Sequence, residues 1–145
     1  MSTGNSVSKL IAKARVARNK SEAAFSQFRV GAAIETKTGT VYSAFNIESS
    51  SYGLSMCAER IALWKAITSG EAEFRRIAIV SDAVDFCPPC GACRQVMLEL
   101  AGDIEIFMTN KSGDVKKEKL SSLLPQAFTA KTLSNAGKGS VGRRH

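Results

Sequence analysis

Histidine is almost missing from this chain: its 145 residues hold one, His145, at the last position. That scarcity excludes a Ser-His-Asp triad, a Cys-His nucleophile pair and a histidine-rich metal site. Long apolar runs are absent too, so no segment reads as a membrane span and no membrane partner is expected. The polar start, Met1–Asn5, leads into no apolar signal core, which makes a cytoplasmic protein the expectation. No internal repeat and no linker divides the sequence. One domain over residues 1–145 is expected, with flexible tails at about 1–6 and 137–145. A hydrophobic content of 44% is enough for a single packed core and too high for a disordered chain.

Acidic residues are missing from both ends. Residues 1–20 carry Lys9, Lys13, Arg15, Arg18 and Lys20, and residues 131–145 carry Lys131, Lys138, Arg143 and Arg144, with no acid in either stretch. The net charge of +7 therefore sits at the ends, and the body between them is slightly acidic. A groove for phosphates needs its bases on the folded body, so solvated charged ends are the expectation and nucleic acid is not an expected partner.

Apolar residues at Val7, Leu10, Ile11, Ala14 and Ala17 recur at helical spacing, which predicts a helix over 7–20. Residues 30–35 and 40–47 read as strands joined by a Thr38-Gly39 turn. A helix over 57–69 is closed by Gly70, and a second over 91–100 by Gly102. Short apolar strands follow at 76–80 and 104–108, and a short helix beyond Phe128. This order predicts an α/β domain, with one mixed sheet and helices packed on it.

Four cysteines are present, Cys57, Cys87, Cys90 and Cys93, three of them within seven residues. Without a secretion signal, such clustering reads as metal or redox chemistry, not as a disulfide framework. In Pro89-Cys90-Gly91-Ala92-Cys93 the two thiols fall on one face of a first helical turn. The helix N-terminus favours the thiolate that a metal needs. Met56-Cys57-Ala58-Glu59-Arg60 places a third thiol at the start of the other helix. Three thiolates leave the fourth tetrahedral position of Zn2+ open to water, the mark of a catalytic site. Zinc lowers the pKa of that water toward neutrality, and Glu59 is placed to shuttle its proton without being a ligand. Zn2+ with three thiolates carries a charge of about −1, which Arg60, next to the metal ligands, would offset.

The segments Cys57-Ala58-Glu59 and Pro89-Cys90-Gly91-Ala92-Cys93 match the general signature of zinc deaminases. Together with Phe28-Arg29-Val30-Gly31-Ala32-Ala33, Asn46-Ile47-Glu48 and Leu123-Leu124-Pro125-Gln126-Ala127-Phe128, they make the chain similar to the three-cysteine, homotetrameric class of cytidine deaminases over most of residues 8–128. The resemblance implies a three-layer α/β/α domain with a central five-stranded mixed sheet. It implies a Zn2+ cofactor held by Cys57, Cys90 and Cys93, with Glu59 as catalytic acid–base. The reaction implied is hydrolytic deamination of cytidine or deoxycytidine in pyrimidine salvage.

Asn46 and Glu48 stand two apart on a predicted strand, so both face one side, with Phe45 and Ile47 on the other. Read alone, they are either hydrogen-bonding partners for sugar hydroxyls or a turn cap beside a solvated acid. The resemblance assigns them to the ribose. It also implies that Phe28, otherwise a core residue, stacks on the pyrimidine. By the same resemblance the Ala58 carbonyl receives the base amide, and Phe128 reaches a neighbouring subunit's site. Ser49 stands where the family often has asparagine, and Phe25 where it often has tyrosine; both bear on the exact substrate. Other readings remain at this point: a blasticidin-type or otherwise modified pyrimidine as substrate, a base in RNA, or a zinc-stabilised binding protein without catalysis. Cys87-x-x-Cys90-x-x-Cys93 also has the spacing of an iron–sulfur motif, although that would leave Cys57 and Glu59 without a role.

Overall fold

The computed structural model describes residues 3–136. Along the chain it has α1 (Thr3–Lys20), β1 (Val30–Thr36), β2 (Val41–Phe45), a 3-10 turn (Tyr52–Leu54), α2 (Ala58–Thr68), β3 (Phe74–Ser81), α3 (Gly91–Ala101), β4 (Glu105–Thr109), β5 (Val115–Lys119), α4 (Leu120–Leu123) and α5 (Ala130–Ala136). The strands form one sheet in the order β2-β1-β3-β4-β5.

Period-two alternation covers this sheet on both faces. Ala32, Ile34, Ile77, Ile79, Ile106 and Met108 face a core shared with Ala62, Leu63 and Ala66 of α2 and with Cys93 and Met97 of α3. Their neighbours Ala33, Ala78, Val80 and Phe107 face Leu10, Ile11 and Ala14 of α1. The result is the three-layer α/β/α sandwich with five strands that the resemblance implied.

Strand direction decides where the helices begin. β2 and β3 each pair antiparallel with β1, so they run the same way as each other, and β3 pairs parallel with β4. The connections β2–α2–β3 and β3–α3–β4 are therefore helical crossovers. Both helices pack on the same face, so both N-termini lie outside the carboxyl ends of β2 and β3, where open α/β sheets bind ligands. β1 starts at that same edge, with Val30 opposite Ser81 and Gly31 opposite Phe45.

The first layer is set by a contact that only glycine allows. A Cβ on Gly31 would overlap the Ala14 carbonyl oxygen and the Arg18 backbone nitrogen. Backbone atoms cannot rotate away, so α1 lies directly against β1. Gly31→Ala should lower the unfolding free energy by about 3 kcal/mol, the upper end for overpacking. Urea unfolding of the purified variant reads this directly, and a shift under 1 kcal/mol would remove the close approach as a determinant of the fold. The same layer buries an ion pair: Arg76 donates Nε and Nη2 to the Glu35 carboxylate at 2.9 and 3.3 Å, and also bonds Ser6 Oγ.

The four strands and three main helices expected from periodicity are present, and they are joined by a fifth strand, β5, which local sequence does not signal. After Val115 every residue of β5 is charged, and the strand lies at the sheet edge, where charge is tolerated because one side of the strand faces no partner. The tail expected over residues 1–6 is helical from Thr3, whose turn Ser6 fastens to Arg76. The tail expected over 137–145, with His145, lies outside the described residues. No described helix is long and apolar enough to cross a membrane.

Candidate active site and metal centre

Cys57 and Cys90 are the N-cap residues of α2 and α3, both in extended backbone with φ/ψ of −72°/147° and −63°/164°. Cys93 is one turn into α3 and fully buried. The three sulfurs lie within 4.8 Å of one another, with Cys57 Sγ 3.8 Å from Cys90 Sγ. Ligands at 2.3 Å from a tetrahedral zinc ion are separated by about 3.8 Å. The donor set therefore fits Zn2+, with all charge supplied by thiolates and one tetrahedral position left to a non-protein ligand. Cys87 is outside this group, so the Cys87–Cys93 iron–sulfur spacing is not what the fold assembles.

The thiols are unequal. A hydrogen bond from Cys93, with Arg60 beside it, lowers the Cys57 thiol to about 5. Cys93 is pushed upward by its bond to Cys57 and by burial. Cys87 is raised by burial and by the neighbouring Glu59 carboxylate. Arg60 Nη2 lies 3.6 Å from Cys57 Sγ, and its buried Nε has no hydrogen-bond partner in the described structure. A cation fixed in this way is compensated by the thiolates, as a Zn2+ site with excess negative charge requires.

Glu59 is only 4% exposed and lines the same cavity as Cys57 and Cys90. Burial first, then the Cys57 thiolate, pushes its carboxyl up to about 7. A carboxyl poised near neutrality both accepts and returns a proton at little cost, which is the property of a general acid–base.

The cavity is about 600 Å3 and opens at the sheet edge. Phe28, Asn46, Glu48 and Ala58 all line it, so four of the five expected substrate residues converge on the thiol cluster. Phe128 does not line it; it is 53% exposed, and its carbonyl is held by Gln95 Nε2 at 2.8 Å. Ile47, expected on the opposite face from Asn46 and Glu48, also reaches the cavity. Strand β2 ends at Phe45, and only a two-bond bridge to Met56 continues it, so strict alternation stops there.

Asn46 is mostly committed to its own protein. Its Oδ1 accepts from Val30 N at 2.9 Å and Ser21 Oγ at 2.7 Å, and Nδ2 donates to Phe28 O at 2.9 Å. Both lone pairs of the oxygen are used, which leaves one N–H for a ligand. Glu48 accepts from Ser26 Oγ at 2.5 Å, Ser26 N at 3.0 Å and Phe25 N at 3.3 Å. These bonds, led by the Ser26 hydroxyl, lower its carboxyl below the usual range and keep it an ionised acceptor. Sequence reasoning passed over Ser21, Ser26, Met56 and Ile79. Nothing local marks them: Ser21 and Ser26 act through partners 25 and 22 residues away, and Met56 and Ile79 meet the rest of the cavity wall only once the chain has folded. Phe25 and Tyr52 form an edge-to-face pair at 6.0 Å on the cavity wall. Arg94 braces the metal loop by donating to Pro89 O and Leu123 O, both at 2.7 Å.

Residues 5–109 match the family model described as the cytidine and deoxycytidylate deaminase zinc-binding region. The chain is 41% identical to a cytidine deaminase of Sporosarcina psychrophila over 91% of this chain and 98% of that protein. It is 46% identical to a cytidine deaminase of Halalkalibacterium halodurans over 87% and 96%. A blasticidin-S deaminase of Bacillus cereus is 36% identical over 69% and 76%. Among solved structures, a cytidine deaminase from Burkholderia pseudomallei superposes with a TM-score of 0.81 at 44% identity, covering 88% of this chain and all of that one.

Proposed function

The chain belongs to the cytidine and deoxycytidylate deaminase zinc-binding family, and from that premise we propose that it hydrolyses free cytidine or deoxycytidine to the uracil nucleoside and ammonia. The observation that carries this reading is the buried Glu59 carboxyl beside three sulfurs spaced for one zinc ion, on the wall of a nucleoside-sized cavity. Bound there by Cys57, Cys90 and Cys93, zinc supplies the Lewis acidity that makes water a nucleophile near neutral pH.

The chain's own groups do the rest. Phe28 offers an aromatic face to the pyrimidine, and the Ala58 carbonyl an acceptor to the base amide. Glu48, held ionised, accepts a sugar hydroxyl, and the spare Asn46 N–H donates to one. Ionised Glu59 takes a proton from the attacking water and delivers it to the ring N3. It then carries the second proton to the exocyclic amine, which leaves as ammonia, so C4 exchanges nitrogen for oxygen. Arg60 balances the negative charge of the thiolates.

Thiol ligands need a reducing compartment, which supports action in the cytoplasm and a place in pyrimidine salvage. The blasticidin reading ranks second on its lower identity. Ammonia release from the zinc-loaded protein, screened over cytidine, deoxycytidine, blasticidin S, adenosine and single-stranded RNA, tests the assignment. Turnover of the first two is expected; a zinc-loaded protein inert toward every one of them would be a binding protein.

A homotetramer fits the exposed apolar residues outside the cavity, including Trp64, Phe128 and Leu133. In this arrangement Phe128, absent from its own cavity, completes the site of a neighbouring copy. Phe128→Ala should then both raise KM for cytidine about tenfold, as for loss of one stacking contact, and weaken the tetramer in sedimentation. A tetramer with unchanged KM would remove Phe128 from the site.

A further inference from the structure

The segment that carries Phe28 into the cavity is a loop held chiefly by side chains. Between α1 and β1, residues 21–29 include two non-glycine residues in the left-handed region, Ala23 at φ 42° and Gln27 at φ 57°. Such backbone persists only where the surroundings over-determine it. Here the constraint comes from beyond β2: Asn46 grips the flanks at Ser21, Phe28 and Val30, and Glu48 grips the tip at Phe25 and Ser26.

Ser26 is where these restraints meet. Its hydroxyl donates to Glu48 Oε1 at 2.5 Å, short as expected for a charge-assisted O–H···O bond. The same oxygen accepts the Phe28 N–H at 3.1 Å. Its own N–H donates to Glu48 Oε2 at 3.0 Å. A hydroxyl has one hydrogen and two lone pairs. The hydrogen goes to Glu48, so the oxygen faces Phe28 as an acceptor, and the polarity of the link is fixed by the ionised carboxylate. One side chain thus joins the residue assigned to the sugar to the residue assigned to the base.

We propose that Ser26 is a positioning residue for the deamination: its hydroxyl locks the Glu48 carboxylate and the Phe28 ring into one unit, so that sugar and base are held in register with each other. This inference deepens the nucleoside-deaminase reading and rests on it. The hydroxyl touches neither the reacting carbon nor Glu59 in this scheme, so it acts on binding and not on the proton transfers. Threonine keeps the hydroxyl and alanine removes both bonds at once.

The test is a mutant cycle on the zinc-loaded protein with cytidine. Ser26→Ala should raise KM about 30-fold, the range for losing a hydrogen bond to a charged group, with kcat within about threefold because binding is lost equally from ground and transition states. In a Glu48→Ala background the same change should cost less than about threefold, since the carboxylate that its hydroxyl bonds is already gone. Ser26→Thr should restore the wild-type KM. A substrate-independent readout accompanies these: carbon-13 titration of Glu48 should move its carboxyl upward in Ser26→Ala and leave it in place in Ser26→Thr. Full, independent losses in the two backgrounds, or a fall in kcat at unchanged KM, would overturn the coupling. Wild-type protein that binds zinc and releases no ammonia from cytidine would instead defeat the parent reading, and the Glu48 titration would still report whether the bond exists.

Discussion

Glu59→Gln should leave a folded, zinc-loaded protein whose kcat for cytidine falls about 10⁴-fold, the upper range for loss of a general acid–base. The amide keeps the shape of the carboxyl but cannot take up a proton and return it, and both transfers in the proposed reaction pass through that group. The fold has little reason to object. Glu59 is buried, and burial already works against its charge. A neutral side chain there removes a desolvation cost, so the variant should melt no lower than the parent. The pH dependence follows from the same residue. As a base Glu59 works only when ionised, so kcat/KM should fall as pH drops through its pKa. In the metal-free chain that value is about 7. Metal analysis, a melting curve and a pH–rate profile on parent and variant check these outcomes. Turnover at the parental rate by Glu59→Gln would take the acid–base role from this residue.

Removing the metal should have the second largest effect: no measurable turnover, and a melting temperature lower by about 10 °C, taking about 4 kcal/mol for zinc at a thousandfold over its Kd. All three sulfurs must be thiolates to bind; the Cys57 thiol is lowered to about 5, while Cys93 is raised by its bond to Cys57 and by burial. Loading therefore releases protons, and zinc affinity must weaken as pH falls because protons compete for the same sulfurs. A competing chelator titration at pH 6, 7 and 8 should show apparent affinity rising with pH. Cys90→Ala should lose the metal, whereas Cys87→Ala should keep it, because Cys87 lies outside the cluster. Equal zinc content in the two variants would contradict the assignment of ligands.

Much of this site can be read without coordinates, for reasons that lie in backbone geometry. The repeat of a helix and of a strand is fixed locally, so alternation at Ala32, Ala33 and Ile34, or at Ile77, Ala78 and Ile79, announces a sheet covered on both faces. Gly70 and Gly102, both with positive φ, mark helix ends by the same local logic. Cys57 and Cys90 are recognisable as candidate ligands because each opens a helical segment, and the shared direction of β2, β3 and β4 carries both openings to one edge. The scarcity of histidine leaves thiolates and one carboxylate to do the chemistry.

What the linear order could not decide is which polar groups are already occupied. Asn46 looks like a sugar reader from its spacing, but three of its hydrogen bonds go to residues 16 to 25 positions away. Ser26 looks like any loop serine until β2 brings Glu48 to its hydroxyl. Strand β5 has no apolar signature, and only its pairing with β4 makes it a strand. Phe128 keeps its motif but not its expected place in its own cavity. Glu59 shows the division most clearly: its position after Cys57 is a matter of sequence, while its raised pKa comes from walls that several distant elements build around it. Periodicity acts within a few residues along the backbone. Desolvation and hydrogen-bond satisfaction act through space, across contacts that exist only once the strands have taken their register.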